Sequence, residues 1–233
     1  SSTTLIDTSL IQGDNFWRNA WLLLTSGTSS ASVRQATGFT ASSDTLTFAP
    51  ALAASVASSV TYELFKRFRP EVYHEAINQA IRDAGSLALV DKVDVSLTLA
   101  ADTWEYTLPS GFRYIRRLSY LNDSTDDTRI FIDPHLWYVR FASTRKIVFD
   151  GSLHFPANTL MIEGQSSPAE LTTEAGTCPI HPNYLLAYAK WYLHSILAGS
   201  DDEEAPYHER QMLIWERKYM DRRGEMTAHV YPG

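Results

Sequence analysis

Cysteine is nearly absent: Cys178 is the only one in 233 residues. A lone thiol excludes an internal disulfide and every multi-cysteine zinc or iron–sulfur site, and it suits synthesis in a reducing cytoplasm. Long apolar runs are missing too. The longest, Trp21-Leu22-Leu23-Leu24 and Tyr184 to Ala189, are far shorter than a bilayer span, so no membrane partner is expected. No basic residue precedes Arg18 and no apolar segment opens the sequence, so no secretory signal is expected either. Positive charge is in deficit, with 20 Lys and Arg against 27 Asp and Glu and a net charge of −7. A stand-alone nucleic-acid binder carries the opposite sign.

Catalytic signatures are also lacking. There is no G-x-x-x-x-G-K, G-x-G-x-x-G, G-x-S-x-G or H-E-x-x-H. His74-Glu75 starts the last of these, but Asn78 stands where the second histidine belongs, which leaves a polar helix face. The acidic stretch beginning at Asp123 lacks the glycine and the final glutamate of a calcium loop and reads as a hairpin turn. No two of the seven histidines, His74, His135, His154, His181, His194, His208 and His229, have the i, i+4 spacing of a helical metal pair. Cys178 has His181 nearby, but the intervening Pro179-Ile180 reads as a loop entering a helix. No enzyme, metal or cofactor is expected.

What is present is a changing pattern along the chain. Residues 1–60 hold five charged side chains, and Ser and Thr supply 22 of the first 61 residues. That composition disfavours helix and suits strands and turns. Trp21 to Thr25, Val33 to Thr40 and Thr45 to Phe48 read as strands, and 49–59 as a loop. Residues 70–84 read as a helix: Pro70 suits its first position, and Tyr73, Ala76, Ile77, Ala80, Ile81 and Ala84 form one apolar stripe. From about 90 to 165 the period changes to two, giving seven short strands separated by turn residues. Helix returns at 182–198, with Leu185, Tyr188, Ala189, Tyr192, Leu193 and Ile196 as its apolar stripe. A last helix starts between 201 and 206, with Ser200 and Glu203 at capping-box spacing, and stops at Gly224.

The fold class expected is α+β: a helical core of one helix and then two C-terminal helices, split by an inserted antiparallel β-sandwich or barrel, with a short N-terminal β region. The domains expected are an N-terminal strand and loop region at 1–61, a helical core at 62–90 and 178–224, a β domain at 91–177 and a tail at 225–233. Basic residues cluster at Lys66-Arg67-Phe68-Arg69, at Arg113 with Arg116-Arg117, and at Arg217-Lys218 with Arg222-Arg223. The third cluster shares the last helix with Trp215, Tyr219 and Met220, residue types enriched in interface cores. The candidate interface is therefore Trp215, Tyr219, Met220, Arg222 and Arg223, with Tyr231 in the tail. The aromatics Trp104, Tyr106, Trp137 and Tyr138 leave open a carbohydrate-binding β module.

Four stretches, taken in order, resemble the head–tail connector (neck adaptor) proteins of tailed bacteriophages. They are Asp14-Asn-Phe-Trp through Trp21-Leu-Leu-Leu, Gly27, Arg34 and Thr45-Leu-Thr-Phe; Tyr62-Glu-Leu-Phe with Pro70 and Ala76-Ile77-Asn78-Gln79-Ala80; Tyr106-Thr-Leu-Pro109 with Phe112 and Tyr114-Ile115-Arg116-Arg117-Leu118; and His181-Pro182, Tyr188-Ala189-Lys190-Trp191-Tyr192 and Asp201-Asp202-Glu203-Glu204. The resemblance implies a structural virion protein, made in a host bacterial cytoplasm. It implies a ring between the portal and the next neck or tail protein, in twelve copies as in the portal. DNA would pass through the ring without sequence recognition, and the C-terminal segment would dock on the portal. A tail terminator or head-completion protein is a second virion role of similar build.

Overall fold

The computed structural model describes residues 1–123, 126–151, 157–172, 176–200 and 203–226. The fold is α+β, with antiparallel sheets and, among the described residues, three α-helices. The chain forms two compact units, Ser1–Ile77 and Asn78–Gly233.

The first unit is a five-stranded antiparallel sheet of β1 (Thr4–Ile6), β2 (Trp21–Leu24), β3 (Val33–Thr40), β4 (Thr45–Ala49) and β5 (Tyr62–Phe65), in the order β1-β4-β3-β2-β5. Three of these strands lie where Ser/Thr-rich, β-branched segments call for them. The other two correct the sequence expectation. β1 is only three residues long, and Tyr62–Phe65, assigned from sequence to the start of the helical part, pairs with β2 from Trp21↔Phe65 to Leu24↔Tyr62. Leu22, Leu24, Phe39, Leu46 and Phe48 are almost wholly buried, with Ala36 among them, so this charge-poor segment has its own core.

The sheet curls until its two outer strands are bridged. Tyr62 on β5 donates its hydroxyl to Asp7 Oδ2, just past β1, at 2.5 Å. Ser9 N–H donates to Asp7 Oδ1 at 2.8 Å. Gly27 turns the chain after β2 with φ of 82°, and a Cβ there would meet Val60 Cγ2 at 2.7 Å, so only glycine fits.

The second unit holds the seven expected strands: β6 (Val90–Thr98), β7 (Glu105–Thr107), β8 (Phe112–Asp123), β9 (Asp126–Ile132), β10 (Trp137–Phe141), β11 (Arg145–Phe149) and β12 (Thr159–Ser166). They form a four-stranded sheet, β6-β12-β8-β9, and a three-stranded sheet, β10-β11-β7. Side chains from both sheets share one buried cluster, including Ile115, Leu118, Leu160 and Ile162 from the first and Tyr106, Ile147 and Phe149 from the second. The alternation seen in the sequence is thus a one-sided burial pattern. At the β12–β8 pairing the register shifts between Glu163 and Gly164. A Cβ on Gly164 would collide with the Tyr114 carbonyl oxygen and crowd Ile115 Cα at 3.0 Å, so the bulge depends on a bare backbone there.

Helix α1 (Pro70–Ala84) starts and ends as the sequence indicates, and Ala76, Ala80, Ile81 and Ala84 of its stripe are buried. Helices α2 (Pro182–Ala198) and α3 (Ala205–Met226) follow the strands. α3 does not stop at Gly224. It runs to Met226, because an interior glycine costs only about 1 kcal/mol relative to alanine. Neither does Ser200 cap α3: its Oγ donates back to Leu197 O at 2.6 Å, closing α2 instead.

Gly164→Ala should destabilise the second unit by about 3 kcal/mol, since backbone rather than a movable side chain opposes the new methyl; chemical denaturation measures it. The Tyr62 hydroxyl, and after it the Ser9 backbone and side chain, hold the Asp7 carboxyl below its ordinary range. A depressed folded-state value contributes stability that is present above about pH 4 and lost as pH falls through the folded value. Asp7→Asn should therefore flatten the acid limb of the thermal-unfolding profile relative to the wild type.

Candidate docking surface

The expected interface residues on α3 are positioned by the packing of α3 antiparallel on α2. Pro182 occupies the start of α2, and His181 caps it, its Nδ1 accepting from Asn183 N–H at 3.2 Å. That role occupies the His181 imidazole nitrogen nearest the helix. Cys178 is half-buried and lines a cleft of about 650 Å³ with Leu87, Val90, Ile180, Tyr184 and Arg222.

The contact between the two helices is aromatic. Tyr219 meets Tyr188 at 5.1 Å, Trp191 at 5.2 Å and Tyr184 at 6.4 Å between ring centroids. Edge-to-face and tilted rings at such spacings are favourable beyond the area they bury. Nearer the α2–α3 turn, His194 Nδ1 and His208 Nδ1 lie 2.9 Å apart, which joins the helices by a ring-to-ring hydrogen bond. His208 is buried, and its Nε2 lies 3.7 Å from Glu204 Oε2.

At the other end, a single carboxylate ties the helices to α1. Tyr184 donates its hydroxyl to Asp83 Oδ2 at 2.6 Å, and Arg223 Nε approaches the same oxygen at 3.7 Å. Burial first, and Asp83 second, push the Tyr184 phenol well above its ordinary range. The chain beside Asp83 is clasped to the segment that returns from the strands. Asn78 exchanges two hydrogen bonds with the Leu171 backbone, at 2.9 and 3.0 Å. Arg82 reaches Glu170, and Ser167 Oγ donates to Gly85 O at 2.9 Å. Asn78, which stands where a metalloprotease motif needs histidine, is thus a clamp between backbones.

These contacts divide the expected interface residues. Tyr219 is buried between α2 and α3, and Arg223 is turned toward Asp83. Trp215 is half-buried at the rim, with Lys190 Nζ 4.2 Å and Lys218 Nζ 4.0 Å from its ring centroid. Met220 and Arg222 are exposed, with Leu213 and Ile214 also outward on α3 and Leu186 on α2. Tyr231 lies outside the described residues. The stripe expected on α2 is also rotated: Tyr184, Ala187 and Ala189 are the buried positions, and Ile196 is exposed. Large rings at 184, 188 and 191 turn the helix toward α3, and the aliphatic count alone does not show that. Lys190 and Asp83 were missed, whereas His194 and His208 are packed histidines on the C-terminal helices, as their place in the sequence suggests. The i, i+4 spacing of Trp215 to Tyr219 was a legible signal, whereas Asp83 and Tyr184 are 101 residues apart in sequence.

The other candidates are accounted for in place. Lys66 sits over the Phe16 ring at 3.2 Å and Arg69 over Trp21 at 4.9 Å. Arg113 bonds Ser167, and Arg117 pairs with Glu163. The four aromatics of the β segment do not form one exposed set: Tyr106 is buried and bonds the Ala100 backbone, Trp137 packs on the core, and only Trp104 and Tyr138 are exposed. Among the described residues no group of three or more His, Cys, Asp or Glu could hold a metal ion, and no helix is long and apolar enough to cross a membrane.

The sequence profile of one family, described as SU10 adaptor protein, matches residues 51–231. The match takes in β5, all three helices and β6–β12, and begins after β4. No curated protein matches the chain.

Tyr184→Phe should destabilise the second unit by about 2 kcal/mol, because it removes a hydrogen bond to a charged acceptor. A raised folded-state phenol contributes stability that is complete below about pH 10 and lost as pH rises further, where the unfolded chain ionises first. Tyr188 and Tyr219 are shifted upward as well, chiefly by burial. The variant's alkaline limb should therefore be shallower than the wild type's without vanishing; urea titrations at stepped pH read both effects.

Proposed function

The chain belongs to the SU10 adaptor protein family, and from that premise we propose that it is the structural adaptor of a tailed-phage neck. It forms a ring between the portal and the next neck or tail component and borders the channel through which DNA leaves. The observation that carries this reading is the family match across 51–231, which spans the helices and the β segment together.

Two features of the molecule support it. The β segment leaves and rejoins the helical part at one clasp, where Asn78, Arg82 and Gly85 hold Ser167 to Leu171. We read that as a helical core carrying an inserted β domain. The outward side of α2 and α3 then presents Leu186, Leu213, Ile214 and Met220 beside Trp215, Lys218 and Arg222. Apolar and aromatic anchors beside cations suit docking to a protein partner that carries carboxylates, which we read as the portal and neighbouring copies. The acidic net charge suits a channel that must release DNA rather than hold it. The role of β1–β4, which precede the matched region, is read as contact with neighbouring subunits or decoration.

Averaged electron micrographs of virions carrying a compact label on this chain should show density in a ring at the capsid vertex, between portal and tail. Label confined to the far end of the tail, or absent from the vertex, contradicts the reading. Label at the capsid-distal end of the tube favours a terminator.

A further inference from the structure

We propose that the groove between α2 and α3 of one copy receives Glu203 and Glu204, the acidic residues just before α3, of a neighbouring copy. The inference rests on the adaptor reading for its setting, a ring, and adds a specific subunit contact. The groove, about 490 Å³, is lined by Asn183, Leu186, Trp215, Lys218, Asp221 and Arg222. Its cationic character is built in. Lys190 and Lys218 both hold their ammonium groups against the Trp215 ring. A ring face positions an ammonium without neutralising its charge. Neither lysine is ion-paired with a carboxylate among the described residues. Asp221 is the one acid in the lining, against Lys190, Lys218 and Arg222 around it.

The matching feature lies on the same helical hairpin. Glu203 and Glu204 lie in a turn immediately before α3, and both are exposed. One such cluster alone would specify nothing, but groove and turn occupy opposite ends of one antiparallel pair. Lys190 lies eight residues before the end of α2 and Lys218 thirteen residues after the start of α3, roughly 12–20 Å from the turn at the α-helical rise. That exceeds the reach of a glutamate side chain, so the turn cannot enter its own groove. It can enter the groove of the next copy, and a contact between two different patches is heterologous, the kind that repeats around a ring. Exposed Leu186 on the groove wall supplies apolar area that a charge pair on open surface would lack.

Charge reversal tests the contact. One variant, Lys190→Glu with Lys218→Glu, has a reversed groove and a native turn. The other, Glu203→Lys with Glu204→Lys, has a reversed turn and a native groove. Sedimentation velocity of the full chain at low salt should show self-association of the wild type that weakens as salt is raised. Each variant alone should associate at least about tenfold more weakly. Mixed in equal amounts, they should associate again, because each turn then meets a groove of opposite sign. Circular dichroism establishes that both are folded. Folded variants that associate like the wild type, a mixture no stronger than its parts, or a wild type monomeric at every concentration would each overturn the contact. None of these outcomes bears on the location at the capsid vertex, which the micrographs read separately.

Discussion

The Asp83 carboxylate is the joint on which the larger unit depends. It sits one residue before the end of α1, accepts the Tyr184 hydroxyl at the start of α2 and faces the Arg223 guanidinium near the end of α3. Helix α1 is fixed to the α2–α3 pair, which lies about a hundred residues further along the chain, through one carboxylate oxygen, Asp83 Oδ2. A half-buried carboxylate is stable only with partners, and here a phenol and a guanidinium provide them. Removing either leaves a charge facing apolar surroundings, so the arrangement of the helices is specified as well as stabilised.

What the joint fixes is the rotation of α3. With Arg223 drawn to Asp83 and Tyr219 packed among Tyr184, Tyr188 and Trp191, the opposite side of the helix is committed to solvent. That side carries Leu213, Ile214 and Met220, with Trp215 and its two lysines at the edge. The His194–His208 hydrogen bond secures the same rotation nearer the turn. A surface that is rigid before contact loses less affinity on binding, because ordering it then is costly. In this unit the rigidity comes from an internal network that spares the outward residues.

Much of this architecture was legible in the sequence. The seven strands of the second unit follow from two-residue alternation, and α1 follows from Pro70 and the stripe ending at Ala84. The errors came from features whose partners are distant. β1 and β5 are too short to show a period, and they are strands because β4 and β2 supply hydrogen bonds. Ser200 has a capping spacing on one side and a free carbonyl on the other, and it serves the carbonyl. The candidate interface was legible as a composition, Trp, Tyr, Met and Arg on one helix. Its division into an inward pair and an outward group was not, because that division depends on Asp83, which belongs to a helix a hundred residues earlier in the chain.

The central claim is that the outward side of α2 and α3 is the contact surface of an adaptor. Hydrogen–deuterium exchange compares the free chain with the chain in assembled necks and reads this claim most directly. The account predicts that assembly adds protection at 186–190, 203–204 and 213–222, while amides beside Asp83 and Tyr184 are slow in both states. Unchanged exchange across those three segments, with new protection confined to the sheets, would contradict it.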